Sequence, residues 1–180
     1  MRENRQRKRL STKNMCLIAL FTAVIAVMAQ ISIPLPWGVP FTMQPFAVAL
    51  AGVVLGAKKG LAAAILYLAL GAVGAPVFAN FGGGFDRIIG PWGGFLLSYP
   101  FFAFIAGYAA DKRRKLTLAI GLGVGSFINL TMGMMQFGFV NGVPLQEAFL
   151  AAFAPFVLLE IIKMIGVFFC GFRIRDAVEK

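Results

Sequence analysis

The chain contains no histidine, two cysteines and seven acidic residues among its 180. A zinc site built from histidine and cysteine is therefore excluded by count, and we expect no metal or cofactor. A Ser-His-Asp or Cys-His arrangement is excluded for the same reason. There is no G-x-x-x-x-G-K-[ST] phosphate loop, since Gly82-Gly83-Gly84 is followed by Phe85. Catalysis, including ATP hydrolysis by that motif, has no footing here, and the chain reads as something other than an enzyme. Charge is scarce as well, at 13% of residues, about half of what a soluble domain needs for a solvated surface. Cys16 and Cys170 fall near the ends of apolar runs and read as reduced packing residues.

What fills the chain instead is apolar. Hydrophobic residues make up 59%, with 19 Phe and 21 Gly, and the mean hydropathy is +0.83. This is the composition of a helical bundle in lipid, where glycine allows close helix approach. The net charge of +10 does not point to nucleic acid, because of how it is distributed. All basic residues except Arg87 and Lys163 fall in four short clusters, at 2–13, 58–59, 112–115 and 173–180. Clusters of that kind mark cytoplasmic ends under the positive-inside rule.

The apolar runs between clusters predict helices over about 14–33, 41–56, 61–74, 95–110, 116–139 and 146–172. The uncharged stretch 14–57 is about twice one span, so it must turn where Pro34, Pro36, Trp37, Gly38 and Pro40 interrupt it. Residues 74–94 hold seven glycines and two prolines and read as a loop or re-entrant segment. The first apolar run is too long for a signal peptide and reads as a retained helix. The expectation is an all-α integral membrane protein, a bundle of six transmembrane helices with both termini cytoplasmic. Residues 1–13 would form a basic cytoplasmic arm, 14–172 the six-helix transmembrane domain and 173–180 a cytoplasmic tail. Spacings such as Gly52/Gly56, Gly56/Gly60, Gly121/Gly125 and Ala19/Ala23 suit close helix packing.

Topology leaves Arg87 and Lys163 unexplained. Lys163 lies in mid-span, with Glu160 three residues earlier on the same helical face. Charges there cost about 2.5–3.5 kcal/mol each, so they face the interior and usually serve function. Two readings stand: an ion pair that fixes the last helix in the bundle, or a polar ligand site within the membrane. Gln30, Gln44, Ser98, Asn129 and Gln136 could bond across helices. Phe78, Phe81, Trp37, Trp92 and Tyr99 could wall an apolar pocket or anchor the interface, and Asn80, Asp86 and Arg87 share the glycine-rich loop.

The segments QISIPLPWGVPFTMQPFAVALAGVVLG (30–56), LYLALGAVGAPVFANFGGG (66–84), GPWGGFLLSYPFFAFIAG (90–107) and PFVLLEIIK (155–163) resemble the BioY family. These are biotin-specific substrate-binding subunits (S components) of energy-coupling factor (ECF) transporters. The resemblance implies six membrane helices, an outward-facing biotin pocket covered by the first loop, and a prokaryotic plasma membrane. It implies partners too: a transmembrane coupling subunit, docked on the A-x-x-x-A pattern Ala19/Ala23, and two ATPase subunits. Glu160 and Lys163 match the family's acidic residue and lysine, although relatives usually have Pro-Gly-Asp where this chain has Leu158-Leu159-Glu160. Asn80 falls in the ligand-contacting loop. The implied biotin contacts are Glu160, Lys163 and Asn80 on the ureido ring and Arg87 on the tail carboxylate, with Gln44, Phe78 and Tyr99 around them. Alternatives are an S component for another vitamin, or a solitary biotin carrier driven without ATPases.

Overall fold

The computed structural model describes residues 11–33 and 40–179. The expected basic arm lies mostly outside the described residues, as does Trp37 in the first loop. In lipid every backbone N–H and C=O needs an internal partner, which turns long apolar runs into helices. α1 (Thr12–Ala29) is followed by a two-residue antiparallel ribbon of β1 (Ser32–Ile33) and β2 (Phe41–Thr42), with Ser32 opposite Thr42. Then come α2 (Gln44–Leu55), α3 (Ala57–Ala72), a 3₁₀ turn (Ala79–Phe81) and the short α4 (Phe85–Ile89). α5 (Gly93–Asp111), α6 (Lys115–Asn141), α7 (Leu145–Ala152) and α8 (Ala154–Glu179) complete the chain.

Among the described residues, four stretches are long and apolar enough to cross a membrane: Thr12–Ala29, Gly93–Asp111, Lys115–Asn141 and Leu145–Val178. α2 and α3, with 12 and 16 residues, reach only about 18 and 24 Å, short of a hydrocarbon core of about 30 Å. α2 is instead the buried centre. Every residue of it except Phe46 is buried, and α1, α3, α5 and α8 surround it. Glycine makes that possible. A Cβ on Gly60 would stand 2.6 Å from the Gly52 Cα, and one on Gly107 would stand 2.5 Å from the Ala57 nitrogen. Gly52 itself leaves room for the Ala103 carbonyl. Close packing is thus the role of these glycines. The bundle's outer surface carries exposed Leu20, Val27, Phe101, Phe127, Ile161 and Phe169, as a lipid-facing surface requires.

One end of the bundle collects the basic clusters. Lys59 donates to Asn14 Oδ1 at 3.5 Å, Arg113 pairs with Asp176 at 2.6 Å, and Arg175 pairs with Asp111 at 2.8 Å. The Ala57 N–H also donates to Asp111 Oδ2 at 3.3 Å.

Several sequence expectations need correction. α1 ends at Ala29 rather than near 33, because the chain leaves it for β1. Gly56 alone, at φ 80°, reverses the chain between α2 and α3, so Lys58 and Lys59 sit in the first turn of α3 instead of forming the turn. The last span breaks at Phe153 (φ −122°, ψ −65°), separating α7 from α8. Residues 173–179, expected as a tail, continue α8. Cys16 and Cys170 are exposed, not packed. Both are free thiols on the apolar exterior.

Candidate functional site

The 75–94 segment lacks a continuous helix because its glycines and prolines favour turns, and side-chain amides from the bundle hold it in place. Gln30, immediately after α1, donates to the Phe78 carbonyl at 3.1 Å and accepts the Phe81 N–H at 2.8 Å. Gln136 of α6 donates to the Ile88 and Gly90 carbonyls, both at 2.8 Å. Gly71 leaves the space that the Phe78 ring fills on α3. The segment is thereby stapled over the end of the bundle opposite the basic clusters.

Beneath it opens a mostly apolar cavity with about 660 Å³ of empty space, its open mouth included. Its walls come from the segment before α2 (Pro40, Thr42), the loop (Phe78, Ala79), the start of α5 (Trp92, Phe95) and α8 (Phe156). Lys163, Arg87, Gln44 and Tyr99 also line it.

Gln44, at the start of α2, is bonded within the protein at both ends of its amide. Its Nε2 donates to the Tyr67 hydroxyl at 2.5 Å, and Tyr67 donates on to the Val77 carbonyl at 3.1 Å. Its Oε1 accepts from the Thr42 and Tyr99 hydroxyls at 3.0 and 3.3 Å. Gln44 therefore ties β2, α3 and α5 together at the cavity floor.

Lys163 Nζ pairs with Glu160 Oε2 at 2.5 Å, donates to the Thr42 carbonyl at 3.4 Å and lies 5.2 Å from the Phe41 ring centre. The two residues are 6% and 3% exposed. Glu160 Oε1 is buried and has no donor, and the same holds for Asn129 Oδ1. The orientation of the Asn129 amide follows from its other end, where Nδ2 donates to Ser98 Oγ at 2.6 Å and the Phe95 carbonyl at 3.2 Å. At the mouth, Arg87 has a side chain 41% exposed and lies 5.7 Å from the Trp92 ring centre; Asp86 is 4.0 Å away. The arrangement offers apolar walls, a buried ion pair with one spare acceptor, a second spare acceptor, and a cation at the rim.

Of the residues singled out from sequence, Lys163, Arg87, Gln44, Phe78 and Tyr99 line one cavity, and Glu160 is bonded to one of them. Asn80 does not line it. It occupies the left-handed region at φ 57° in the 3₁₀ turn and is exposed, and its neighbour Ala79 takes the wall position. Ala19 and Ala23 are exposed on α1, away from the core. Sequence reasoning missed Tyr67 and Thr42, and saw Asn129 only as a helix-bridging amide. The signal for Asn129 was available: an amide in mid-span has more hydrogen-bonding capacity than one neighbouring helix satisfies.

The profile of the BioY family matches residues 3–180. The chain is 42% identical over 154 residues to a probable biotin transporter BioY of Pyrococcus horikoshii, covering 86% of this chain and 91% of that one. It is 40% identical over 158 residues to the biotin transporter BioY of Thermotoga maritima, covering 87% and 92%. Its fold is similar to the crystal structure of an S-component for biotin from an ECF-type ABC transporter, with a TM-score of 0.81 and 26% identity. That likeness covers 93% of this chain and 92% of the other. Profile, relatives and fold agree along nearly the full length, and the chain, a multi-pass prokaryotic membrane protein, belongs to the BioY family.

Proposed function

We propose that the chain binds biotin and carries it across the plasma membrane as the S component of an ECF transporter. The observation that carries this reading is Lys163 on the cavity wall, paired with the buried Glu160, with Glu160 Oε1 and Asn129 Oδ1 left without donors. Biotin complements that set: its ureido group has two N–H donors and a carbonyl, its bicyclic ring is apolar, and its tail ends in a carboxylate. The ureido N–H groups bond to Glu160 and Asn129, and the ureido carbonyl accepts from Lys163. The tail points to the mouth, where Arg87 meets its carboxylate, and Phe78, Tyr99 and Trp92 enclose the ring. Gln44 acts by holding Tyr99 and Thr42 in position. Asn80 reaches the ligand only when its turn moves inward.

The chain crosses the membrane six times with both termini cytoplasmic. The gathering of the 58–59, 112–115 and 173–175 clusters at one end supports this under the positive-inside rule. The short α2 and α3 count as spans because they run within the bundle between its two ends. Energy comes from two ATPases through a coupling subunit seated on the exposed Ala19/Ala23 face of α1.

The test is equilibrium binding of labelled biotin to the purified chain, with thiamine and riboflavin as competitors. Saturable biotin binding that neither vitamin displaces is expected. Absence of binding, or displacement by either, overturns the reading. Uptake into vesicles with and without the ATPases then separates an energised subunit from a solitary carrier.

A further inference from the structure

A second cavity lies away from the biotin pocket, on the outer surface between α6 and α8. It encloses about 580 Å³ of empty space, open side included, and Leu122, Gly123 and Ser126 of α6 face Ile161, Ile165 and Phe169 of α8 across it. Phe169 is 68% exposed. The floor is open at Gly123, where an added Cβ would meet nothing within 4 Å. From Ala119 to Ser126 the groove runs for about 10 Å at 1.5 Å per residue, most of the half-thickness of a bilayer of about 15 Å.

Its end toward the basic clusters is crowned by cations. Lys115 is four residues before Ala119 and Arg173 four after Phe169, so each shares the helix face of a groove residue. Both are exposed, and among the described residues neither makes an ion pair. Asp111 and Asp176, at this end, are already engaged by Arg175 and Arg113. An apolar slot of one-leaflet length that ends in two uncompensated cations is complementary to a lipid with an acyl chain and an anionic headgroup.

We propose that the α6–α8 groove binds one anionic phospholipid, with an acyl chain along Gly123 and the headgroup phosphate between Lys115 and Arg173. The site is separate from the biotin pocket and does not depend on the ligand assignment there.

Native mass spectrometry of the detergent-solubilised chain, titrated with phosphatidylglycerol or phosphatidylcholine, tests it. One phosphatidylglycerol is expected to be retained in preference to phosphatidylcholine. In the double variant Lys115→Gln/Arg173→Gln that preference falls about fivefold per cation removed. Gly123→Leu fills the slot and lowers retention of both lipids, while its unfolding midpoint and biotin binding stay at the wild-type level because the new side chain leaves the helix into open space at its Cβ. Equal retention of the two lipids by the wild-type chain, or unchanged retention in either variant, overturns the proposal. A disulfide-linked pair of chains formed through a cysteine placed at Ile165, with no lipid retained, also overturns it in favour of a face between copies.

Discussion

Replacing Lys163 with Met and Glu160 with Leu, singly and together, separates the two roles that their pair can have. Lys163→Met leaves the Glu160 carboxylate 3% exposed with neither oxygen holding a donor, since Oε1 lacks one already. Breaking a buried pair in this way costs about 3–5 kcal/mol. Glu160→Leu strands the ammonium with only the Thr42 carbonyl at 3.4 Å and the Phe41 ring face, a cost in the same range. The double variant carries no buried charge, and such replacements are neutral or stabilising by about 1–4 kcal/mol. Thermal unfolding followed by tryptophan fluorescence should therefore show two destabilised single variants and a double variant at or above the wild-type midpoint. Biotin binding, measured by calorimetry, should behave differently. A hydrogen bond to a charged group contributes about 1.5–3 kcal/mol, so each single variant loses about ten- to a hundredfold in affinity. The double variant regains the fold without regaining the ligand contacts. Wild-type affinity in the double variant would refute the reasoning, and would leave the pair as a purely structural device.

Gly60→Val drives a side chain into the Gly52 backbone 2.6 Å away; overpacking of that kind costs about 1–3 kcal/mol, visible as a lowered unfolding midpoint. Gln44→Leu deprives the Tyr99 and Thr42 hydroxyls of their acceptor while Tyr67 keeps the Val77 carbonyl. A loss of about 1–3 kcal/mol per orphaned group is expected, read as a midpoint shift that saturating biotin only partly restores. Arg87→Gln should weaken biotin about fivefold and leave its methyl ester unaffected, a modest effect because the guanidinium side chain is 41% exposed and solvent screens it. Equal losses for acid and ester would remove Arg87 from the carboxylate site.

The parts of this fold that were legible in the sequence are those fixed by one-dimensional rules. Long apolar runs become helices in lipid whatever their neighbours, and Lys163 and Glu160 stand out because mid-span charge is costly wherever the helix packs. The glycine spacings pointed to close packing, which Gly52 and Gly60 carry out. What stayed dark depends on three-dimensional detail. Lys58-Lys59 resembled a turn, yet Gly56 reverses the chain through a positive φ, and a chain with 21 glycines does not announce which of them takes that conformation. The break at Phe153 falls two residues before Pro155, whose missing N–H interrupts the helix, but hydropathy alone reads through it. The exchange of Asn80 for Ala79 on the cavity wall is a matter of one residue in a 3₁₀ turn. Which residues Gln44 bonds to was not legible, because its partners Tyr67 and Tyr99 are 23 and 55 residues away.

Hydrogen bonding in the interior leaves two acceptors open, one on the cavity-lining Asn129 and one on Glu160, the partner of the cavity-lining Lys163. The amides of Gln30, Gln44 and Gln136 bond to the loop or to neighbouring elements, as a dry bundle demands. Among the buried atoms without partners, Ser126 and Thr131 carry hydroxyls on α6, and a helical hydroxyl can rotate to a carbonyl in the preceding turn. Asn129 Oδ1 and Glu160 Oε1 have no such remedy, because both are acceptors and helix interiors offer no free N–H. Each left bare costs about 1–3 kcal/mol or more, and hydrocarbon has no donor to give. A ligand with two N–H groups on an apolar ring supplies both donors at once. The ureido of biotin is a group of that kind. If Asn129→Leu, which removes the bare acceptor together with its need, binds biotin as tightly as the wild-type chain, the second donor is bound elsewhere and this placement of the ring fails.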